Sequence, residues 1–288
     1  MKILITGAKG QLGNKLIEIL NQKHKLILTD SDSMDITNAS ATMKKIATEK
    51  PDFIIHAAAY TKVDQAEEEK ELCYKINALG TKNVAEAAKK NDAILIYIST
   101  DFVFFDGKGK AMTEIDSPSP ASVYGQTKLD GENFIKDICD KYYIIRAAWL
   151  FGELPKGHTG SNFVETMLRL AKERDSLTVV NDQIGSPTYT GDLVRFIEFL
   201  ISHYSSQPTP YGIYHLSGEG ETSWYGFAKE IFKQTKTKIN LKPITSAEYP
   251  SKARRPAYSY LSKEKVELLG FKVRPWQEML KEYLEKRT

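Results

Sequence analysis

The chain has 288 residues, 41% of them hydrophobic, and its 40 basic and 37 acidic side chains leave a net charge of +3. That near balance gives no single-sign field for nucleic acid or a membrane surface, and the length suffices for one large core or two moderate ones. No apolar run approaches the ~20 residues that span a bilayer, and the opening strand leaves no signal-peptide architecture. Cys73 and Cys139 lie far apart without metal-like spacing. The expectation is a cytoplasmic enzyme with free thiols, no bound metal, and neither nucleic acid nor membrane as a partner.

Residues 2–6 are an apolar β run that leads straight into Gly7-Ala8-Lys9-Gly10-Gln11-Leu12-Gly13. Strand, glycine loop and a helix from about Gln11 make a phosphate cradle. Gly7, Gly10 and Gly13 permit a tight turn and close backbone approach, so the helix points its N-terminal amides and dipole at a pyrophosphate. A second strand over 25–30 completes a βαβ unit, and Asp30 at its end can accept hydrogen bonds from an adenosine ribose. A third strand over 53–57 runs into Ala57-Ala58-Ala59, small side chains that leave space for a flat cofactor or, alternatively, allow tight helix packing. Leu72, Ile76, Leu79, Val84 and Ala88 then recur at helical spacing, predicting one long helix over 66–90 with Glu67, Glu68 and Glu69 in its first turn.

A fourth strand over 94–99 delivers Ser99, Thr100 and Asp101 at its carboxyl end, where open α/β sheets bind ligands. Val123-Tyr124-Gly125-Gln126-Thr127-Lys128 reads as a helix that brings the Tyr124 phenol and the Lys128 ammonium onto one face. A phenol with an ordinary pKa of about 10 needs a nearby cation to act as an acid near neutrality, and reaching ~7 requires ~4 kcal/mol of differential stabilisation. Lys128 is placed to supply it, with Thr100 or Ser99 across the cleft.

A fifth strand over 142–147 follows. Beyond Trp149 the rhythm changes: Pro155, Gly157 and Gly160 mark a loop, 162–174 a helix, and 177–180, 213–216 and 239–241 further strands. The pattern predicts an α/β fold, a Rossmann-type doubly wound parallel sheet with a smaller mixed α/β C-terminal substrate domain. Residues 1–150 form the dinucleotide-binding domain, completed by about 176–205; 206–288 with 151–175 form the substrate domain. His56 and His215 sit in apolar strands and read as hydrogen-bonded core residues. Tyr249-Pro250 and Arg254-Arg255-Pro256 read as a rigid basic loop that suits an anionic diphosphate or is a solvated turn. Trp224 and Tyr225 open a helix, either as core or as a stacking platform.

Gly-x-x-Gly-x-x-Gly, Ser99-Thr100-Asp101 and Tyr124-x-x-x-Lys128, in this order, resemble the extended short-chain dehydrogenase/reductases. More narrowly, Ala57-Ala58-Ala59-Tyr60-Thr61-Lys62-Val63-Asp64, Ser99-Thr100-Asp101-Phe102-Val103-Phe104, Asn181-Asp182-Gln183-Ile184-Gly185-Ser186-Pro187-Thr188 and Arg255-Pro256 resemble the dTDP-4-dehydrorhamnose reductase family nearly end to end. The resemblance implies NADPH or NADH as cofactor, and a nucleotide sugar, dTDP-4-dehydrorhamnose, reduced at its C4 keto group. Gly10, Gln11 and Leu12 would then touch the pyrophosphate, Asp30 the ribose, and Asp35 and Ile36 the adenine edge. Ala59, Tyr60 and Thr61 would lie on the nicotinamide half, and Tyr124 with Lys128 on its ribose. Thr100, Tyr124 and Lys128 would be catalytic, while Thr100, Asp101, Trp149 and Arg255 would bind the substrate. Phe102 stands where tyrosine is common, and Arg146-Ala147-Ala148-Trp149 replaces Arg-Thr-Ser-Trp. Lys15 occupies a position that is acidic in relatives with an interfacial metal, so the expectation is a monomer or weak homodimer. Two rivals share the motifs: a nucleotide-sugar epimerase, and a non-catalytic subunit like the methionine adenosyltransferase β chain.

Overall fold

In the computed structural model, which describes residues 1–105, 109–155, 162–204 and 209–287, the apolar runs of the first half become strands β1 (Lys2–Thr6), β2 (Lys25–Thr29), β3 (Phe53–His56), β4 (Ile94–Thr100) and β5 (Tyr142–Ala147). Shorter strands follow: β6 (Leu150–Phe151), β7 (Ser176–Val180), β8 (Ile184–Gly185), β9 (Thr188–Tyr189), β10 (Gly212–Leu216), β11 (Thr222–Ser223) and β12 (Asn240–Ile244). The helices are α1 (Gln11–Leu20), α2 (Ala39–Glu49), α3 (Val63–Ala66), α4 (Lys70–Tyr74), α5 (Thr81–Lys90), α6 (Val123–Ile138), α7 (Phe163–Glu173), α8 (Thr190–His203), α9 (Trp224–Gln234), α10 (Glu264–Leu268) and α11 (Trp276–Lys286). Gly157 and Gly160, which mark a loop in the sequence, lie outside the described residues.

The main sheet has six strands in the order β10-β5-β4-β3-β1-β2, and every pairing within it is parallel. Successive side chains of a strand face opposite ways, so strands buried on both faces feed two cores. Ile3, Ile5, Ile94, Ile96 and Ile98 pack on one side with α1, α8 and α11, while Leu4, Ile54, Leu95 and Tyr97 pack on the other with α2, α5 and α6. This is the doubly wound architecture. From β1 the chain turns to β2 on one flank and then to β3 on the other, which opens a crevice at the strand carboxyl ends.

Three local expectations differ from the structure. The long helix over 66–90 is broken: α3 and α4 are short, and a π-helical turn over Lys75–Gly80 precedes α5. The extra residue per turn rotates the apolar stripe, leaving Leu72 and Leu79 exposed and turning Cys73, Asn77 and Ala78 inward. The strand at 213–216, expected in the smaller domain, is β10, the sixth strand of the main sheet beside β5. Its Tyr214 and Leu216 are fully buried there. The strand at 177–180, expected to help complete the sheet, is β7, which pairs with β12 in a two-stranded ribbon. Its alternation of exposed and buried positions suits a strand covered on one face only.

Candidate active site

The glycine loop forms a backbone cradle. Gly7 has φ +69, and a Cβ there would lie 2.8 Å from the Ala58 amide nitrogen; one on Gly13 would lie 2.3 Å from the Gly7 carbonyl oxygen. Helix α1 starts at Gln11 with no side-chain cap and no acidic residue in its first turn, so its leading amides face the crevice without a protein anion against them. These features fit a dinucleotide pyrophosphate. Asp30, at the end of β2, accepts from the Asp32 amide and pairs with Lys9 at 3.2 Å, while Lys9 also reaches Asp32 at 2.7 Å. Asp30 is partly desolvated, which raises its pKa, but the Asp32 amide and Lys9 outweigh this and hold its carboxyl below the ordinary range.

A buried histidine fixes the adjoining loop. Thr6 Oγ1 lies 2.7 Å from His56 Nδ1 and accepts from the Ala58 amide at 3.1 Å; His56 Nε2 lies 3.0 Å from Thr81 Oγ1, which donates to the Asn77 carbonyl. A neutral ring protonated on Nε2 satisfies every partner. Burial, with the Lys128 charge nearby, pushes the His56 pKa down to about 3. Asn77 then holds Tyr60 by both backbone groups, accepting from its N–H at 2.8 Å and donating to its carbonyl at 3.1 Å.

The polar centre lies between the end of β4 and the first turns of α6. Ser122 caps α6 by accepting from the Gly125 amide, and Tyr124 and Lys128 follow one turn apart. The Tyr124 pKa is raised well above its usual value by burial and then by the Asp101 carboxylate, with a Thr100 hydrogen bond pulling the other way. Lys128 is buried, donates to the Ile98 carbonyl at 2.7 Å and sits 4.1 Å from the centre of the Tyr97 ring. Burial drops its pKa to about 7. The expected depression of the tyrosine by the lysine is therefore not what the isolated protein displays, because desolvation of the phenol dominates and the lysine is tied to β4. Asp101 accepts from Ser259 Oγ at 2.7 Å and from Thr100 Oγ1 at 3.1 Å, and burial raises its pKa to about 6. Ser99, the alternative partner for Tyr124, instead donates to Glu132 at 2.5 Å. Glu132 is bound through both oxygens by buried Arg146, at 2.9 and 2.7 Å, and Arg146 Nη1 lies 3.4 Å from His215 Nε2. The two histidines are thus neutral core residues.

Just beyond β5, Trp149 adopts φ +47, a conformation that is costly for a bulky residue. Its indole stacks on Trp224 with centroids 3.7 Å apart and planes 9° apart, and Gly185 leaves it room: a Cβ there would lie 2.8 Å from Cε2.

One cleft of about 1170 Å³ gathers Gly7, Gly10, Gln11, Leu12, Gly13, Asp30, Asp35, Ile36, Ala57, Ala58, Ala59, Thr61, Thr100, Asp101, Tyr124, Lys128, Trp149 and Arg255, together with Trp224. Tyr60 is the exception among the residues expected at cofactor or substrate, because its hydroxyl turns to Glu69 Oε2 at 2.8 Å. The sequence reading missed Thr6, Asn77, Glu132 and Arg146 as supports. Their signal is polarity inside otherwise apolar segments, which becomes legible only once their partners are known. Among the described residues no cluster of His, Cys, Asp or Glu could hold a metal, and no helix is long and apolar enough to cross a membrane.

Comparison with known proteins points the same way. The family described as RmlD substrate binding domain matches residues 1–288. A dTDP-4-dehydrorhamnose reductase of Aggregatibacter actinomycetemcomitans is 41% identical over 290 residues, covering 97% of each chain. Crystal structures of dTDP-4-dehydrorhamnose reductases from Clostridium acetobutylicum (45% identity) and from Bacillus anthracis in complex with NADP (44%) both superpose with a TM-score of 0.93, covering 99% of each chain.

Proposed function

Since the chain belongs to the RmlD substrate-binding-domain family, we propose that it reduces the C4 keto group of dTDP-4-dehydro-6-deoxy-L-mannose with NADPH or NADH, giving dTDP-L-rhamnose. The observation that carries this reading is the single cleft holding the glycine cradle at one end and Thr100, Tyr124, Lys128 and Trp149 at the other. The bound reduced nicotinamide would supply the hydride.

The protein's own residues do the rest. Gly7, Gly10, Gln11, Leu12 and Gly13 bind the pyrophosphate through backbone amides, while Asp30, Asp35 and Ile36 line the adenosine end and Ala57, Ala58, Ala59 and Thr61 the nicotinamide end. On substrate binding Thr100 turns its one hydroxyl proton from Asp101 to the ketone oxygen, which becomes more basic as charge builds on it. Tyr124 gives that oxygen its proton. A phenol held protonated by burial is a donor across the working pH range, and Lys128 in its ammonium form stabilises the phenolate left behind. Asp101 and Trp149 orient the sugar ring, and Arg255 offers its guanidinium to the diphosphate. We further read the protein as cytoplasmic, with buried free Cys73 and Cys139 suiting a reducing compartment, and as a monomer or weak homodimer.

The purified protein is assayed with dTDP-4-dehydrorhamnose and each reduced cofactor. Stoichiometric loss of reduced cofactor with formation of dTDP-L-rhamnose is expected. Sugar interconversion without net oxidation would mark an epimerase, and cofactor binding without turnover a regulatory subunit.

A further inference from the structure

Two sequence strings, Tyr60-Thr61-Lys62-Val63-Asp64, whose Asp64 the chemistry above leaves aside, and Arg254-Arg255-Pro256, meet at the cleft. Asp64, on the single-turn helix α3, accepts from Arg255 Nη2 at 2.6 Å and from the Ala253 amide at 3.1 Å, and its Oδ1 lies 2.8 Å from Ser251 Oγ. Arg255 Nε in turn donates to Ser251 Oγ at 3.1 Å. One carboxylate therefore gathers side-chain and backbone donors from three of five consecutive residues. Backbone bonds hold the flanks of this segment, from the Tyr249 amide to Ser246 and from the Ile184 amide to Ala257. Lys62 and Val63 on one side of the knot, and Arg255 and Pro256 on the other, line the same cleft. Burial raises the Asp64 pKa, but the Ala253 amide, Ser251 and Arg255 outweigh it and keep the group ionised. A guanidinium has five N–H donors, and the clasp engages two of them, so Arg255 can be held by Asp64 and still bind an anion.

We propose that Asp64 is a positioning residue for the nucleotide-sugar site: its carboxylate docks the 251–255 loop on α3 and so fixes Arg255 and Pro256 as the wall that receives the substrate diphosphate. This rests on the nucleotide-sugar reading above. Two effects of Asp64 on substrate oppose each other. Its negative charge repels a diphosphate, but the pair with Arg255 is partly solvated and such repulsion is screened. Its hydrogen bonds pre-organise the loop, which lowers the ordering cost of binding. The geometry, with three partners on one carboxylate, favours the second effect.

The test combines kinetics with limited trypsin digestion of the folded, full-length protein, since the peptide bonds after Lys252 and Arg254 are cleavable once the loop lifts. For Asp64→Asn the KM for dTDP-4-dehydrorhamnose should rise ~10-fold or more with kcat within ~3-fold and cofactor affinity unchanged, while cleavage at 252 and 254 accelerates. Asp64→Glu, which retains a carboxylate, should move both readouts back toward the parent. Glu68→Gln, which removes the exposed pair with Lys252, should move neither. Ser251→Ala removes the hydroxyl contacts to Asp64 and Arg255 but leaves the Asp64–Arg255 pair and the Ala253 amide bond, so it should report the same shifts in smaller measure, which keeps the test open if Asp64→Asn does not fold. A fall in KM would mean that Asp64 competes with the diphosphate for Arg255, and would overturn the proposal. So would a raised KM with unchanged cleavage, which would make Asp64 a direct ligand, and so would a variant altered in neither. Cleavage needs no substrate, so the clasp is judged separately from the reaction: absent turnover by the parent protein would overturn the functional reading instead.

Discussion

Lys128 donates its hydrogen bond to the Ile98 carbonyl, 2.7 Å away on β4, and thereby ties the helix that carries Tyr124 to the strand whose end carries Thr100. The Tyr-x-x-x-Lys spacing puts both side chains on one helical face, but the strand decides where the ammonium rests. A cation in that position is desolvated, and desolvation disfavours its charged form.

The first prediction concerns that charge. With Lys128 near pKa 7 and Tyr124 raised far above its usual value, the first group to titrate on the alkaline side of the free enzyme is the lysine. kcat/KM should therefore decline as pH rises through about 7, because the phenolate left after proton transfer loses its cation. Lys128→Met should abolish this limb and weaken cofactor binding; a limb unmoved in the mutant would assign it to another group. The same burial has a stability consequence. The folded pKa lies below the unfolded 10.5, so the unfolded chain binds the extra proton between about 7 and 10.5, stability rises with pH across that window, and the full penalty applies below it. That penalty is at most ~5 kcal/mol at 1.36 kcal/mol per unit, and loss of the Ile98 bond offsets part of it, so Lys128→Met should stabilise the fold by ~1–3 kcal/mol at pH 7 and by much less at pH 10.5. Urea melts of both proteins at the two pH values measure this.

The second prediction concerns the acid. Tyr124→Phe keeps the ring, which contacts Phe102 edge to face with centroids 5.6 Å apart, and removes the transferable proton. kcat should fall ~10²-fold or more while cofactor affinity and the melting temperature stay close to those of the parent. Near-normal turnover would remove Tyr124 from the role.

The part of this design that the sequence displays is local. Gly7-x-x-Gly10-x-x-Gly13 is legible because Ala58 leaves no room for a Cβ on Gly7 and the Gly7 carbonyl leaves none on Gly13, and β1 and β4 because strands buried on both faces read as unbroken apolar runs. The hidden part is long-range. Nothing near Glu132 announces that Arg146 and Ser99 will meet it, and β10 looks like any short mixed strand until β5 accepts it as a neighbour. The π-helical turn is hidden for a different reason: 66–90 carries a good 3.6-residue pattern, and the pull of Asn77 toward Tyr60 and Thr127 overrides it.

A third prediction tests the indole pair. Trp149 keeps an unfavourable backbone conformation while Trp224 covers one aromatic face and Gly185 leaves space beside it. Gly185→Ala must displace that indole, since the added methyl would lie 2.8 Å from Cε2. The substitution should cost ~1–3 kcal/mol of stability and raise KM for the nucleotide sugar more than it lowers kcat. Trp224→Ala should raise the same KM without touching cofactor affinity. If both variants bind and turn over substrate as the parent does, Trp149 is not part of the sugar pocket.

The last prediction concerns cofactor choice, which turns on Lys9, Asp30 and Asp32. Asp30 places a carboxylate beside the expected adenosine ribose, where the 2′-phosphate of NADPH would meet like charge. Lys9 opposes that bias, but it is shared: its Nζ lies 3.2 Å from Asp30 and 2.7 Å from Asp32, and hydrogen bonds to Asp32 and then Asp30 raise its pKa and keep it charged. Lys9 and Asp32 are both well exposed, so their pair is weak and the lysine can swing to a phosphate at little cost. The two influences nearly offset each other, and kcat/KM for NADPH and NADH should differ by less than ~100-fold, or ~2.7 kcal/mol at 1.36 kcal/mol per tenfold. Asp30→Ala removes the repulsion and should shift preference toward NADPH. Lys9→Ala leaves two uncompensated carboxylates and should shift it toward NADH. Asp32→Asn frees Lys9 without altering Asp30, so it should move the ratio in the same direction as Asp30→Ala but by less. Kinetics of the three variants with both cofactors decide the matter: ratios that stay fixed in all three would show that the end of β2 does not face the adenosine ribose.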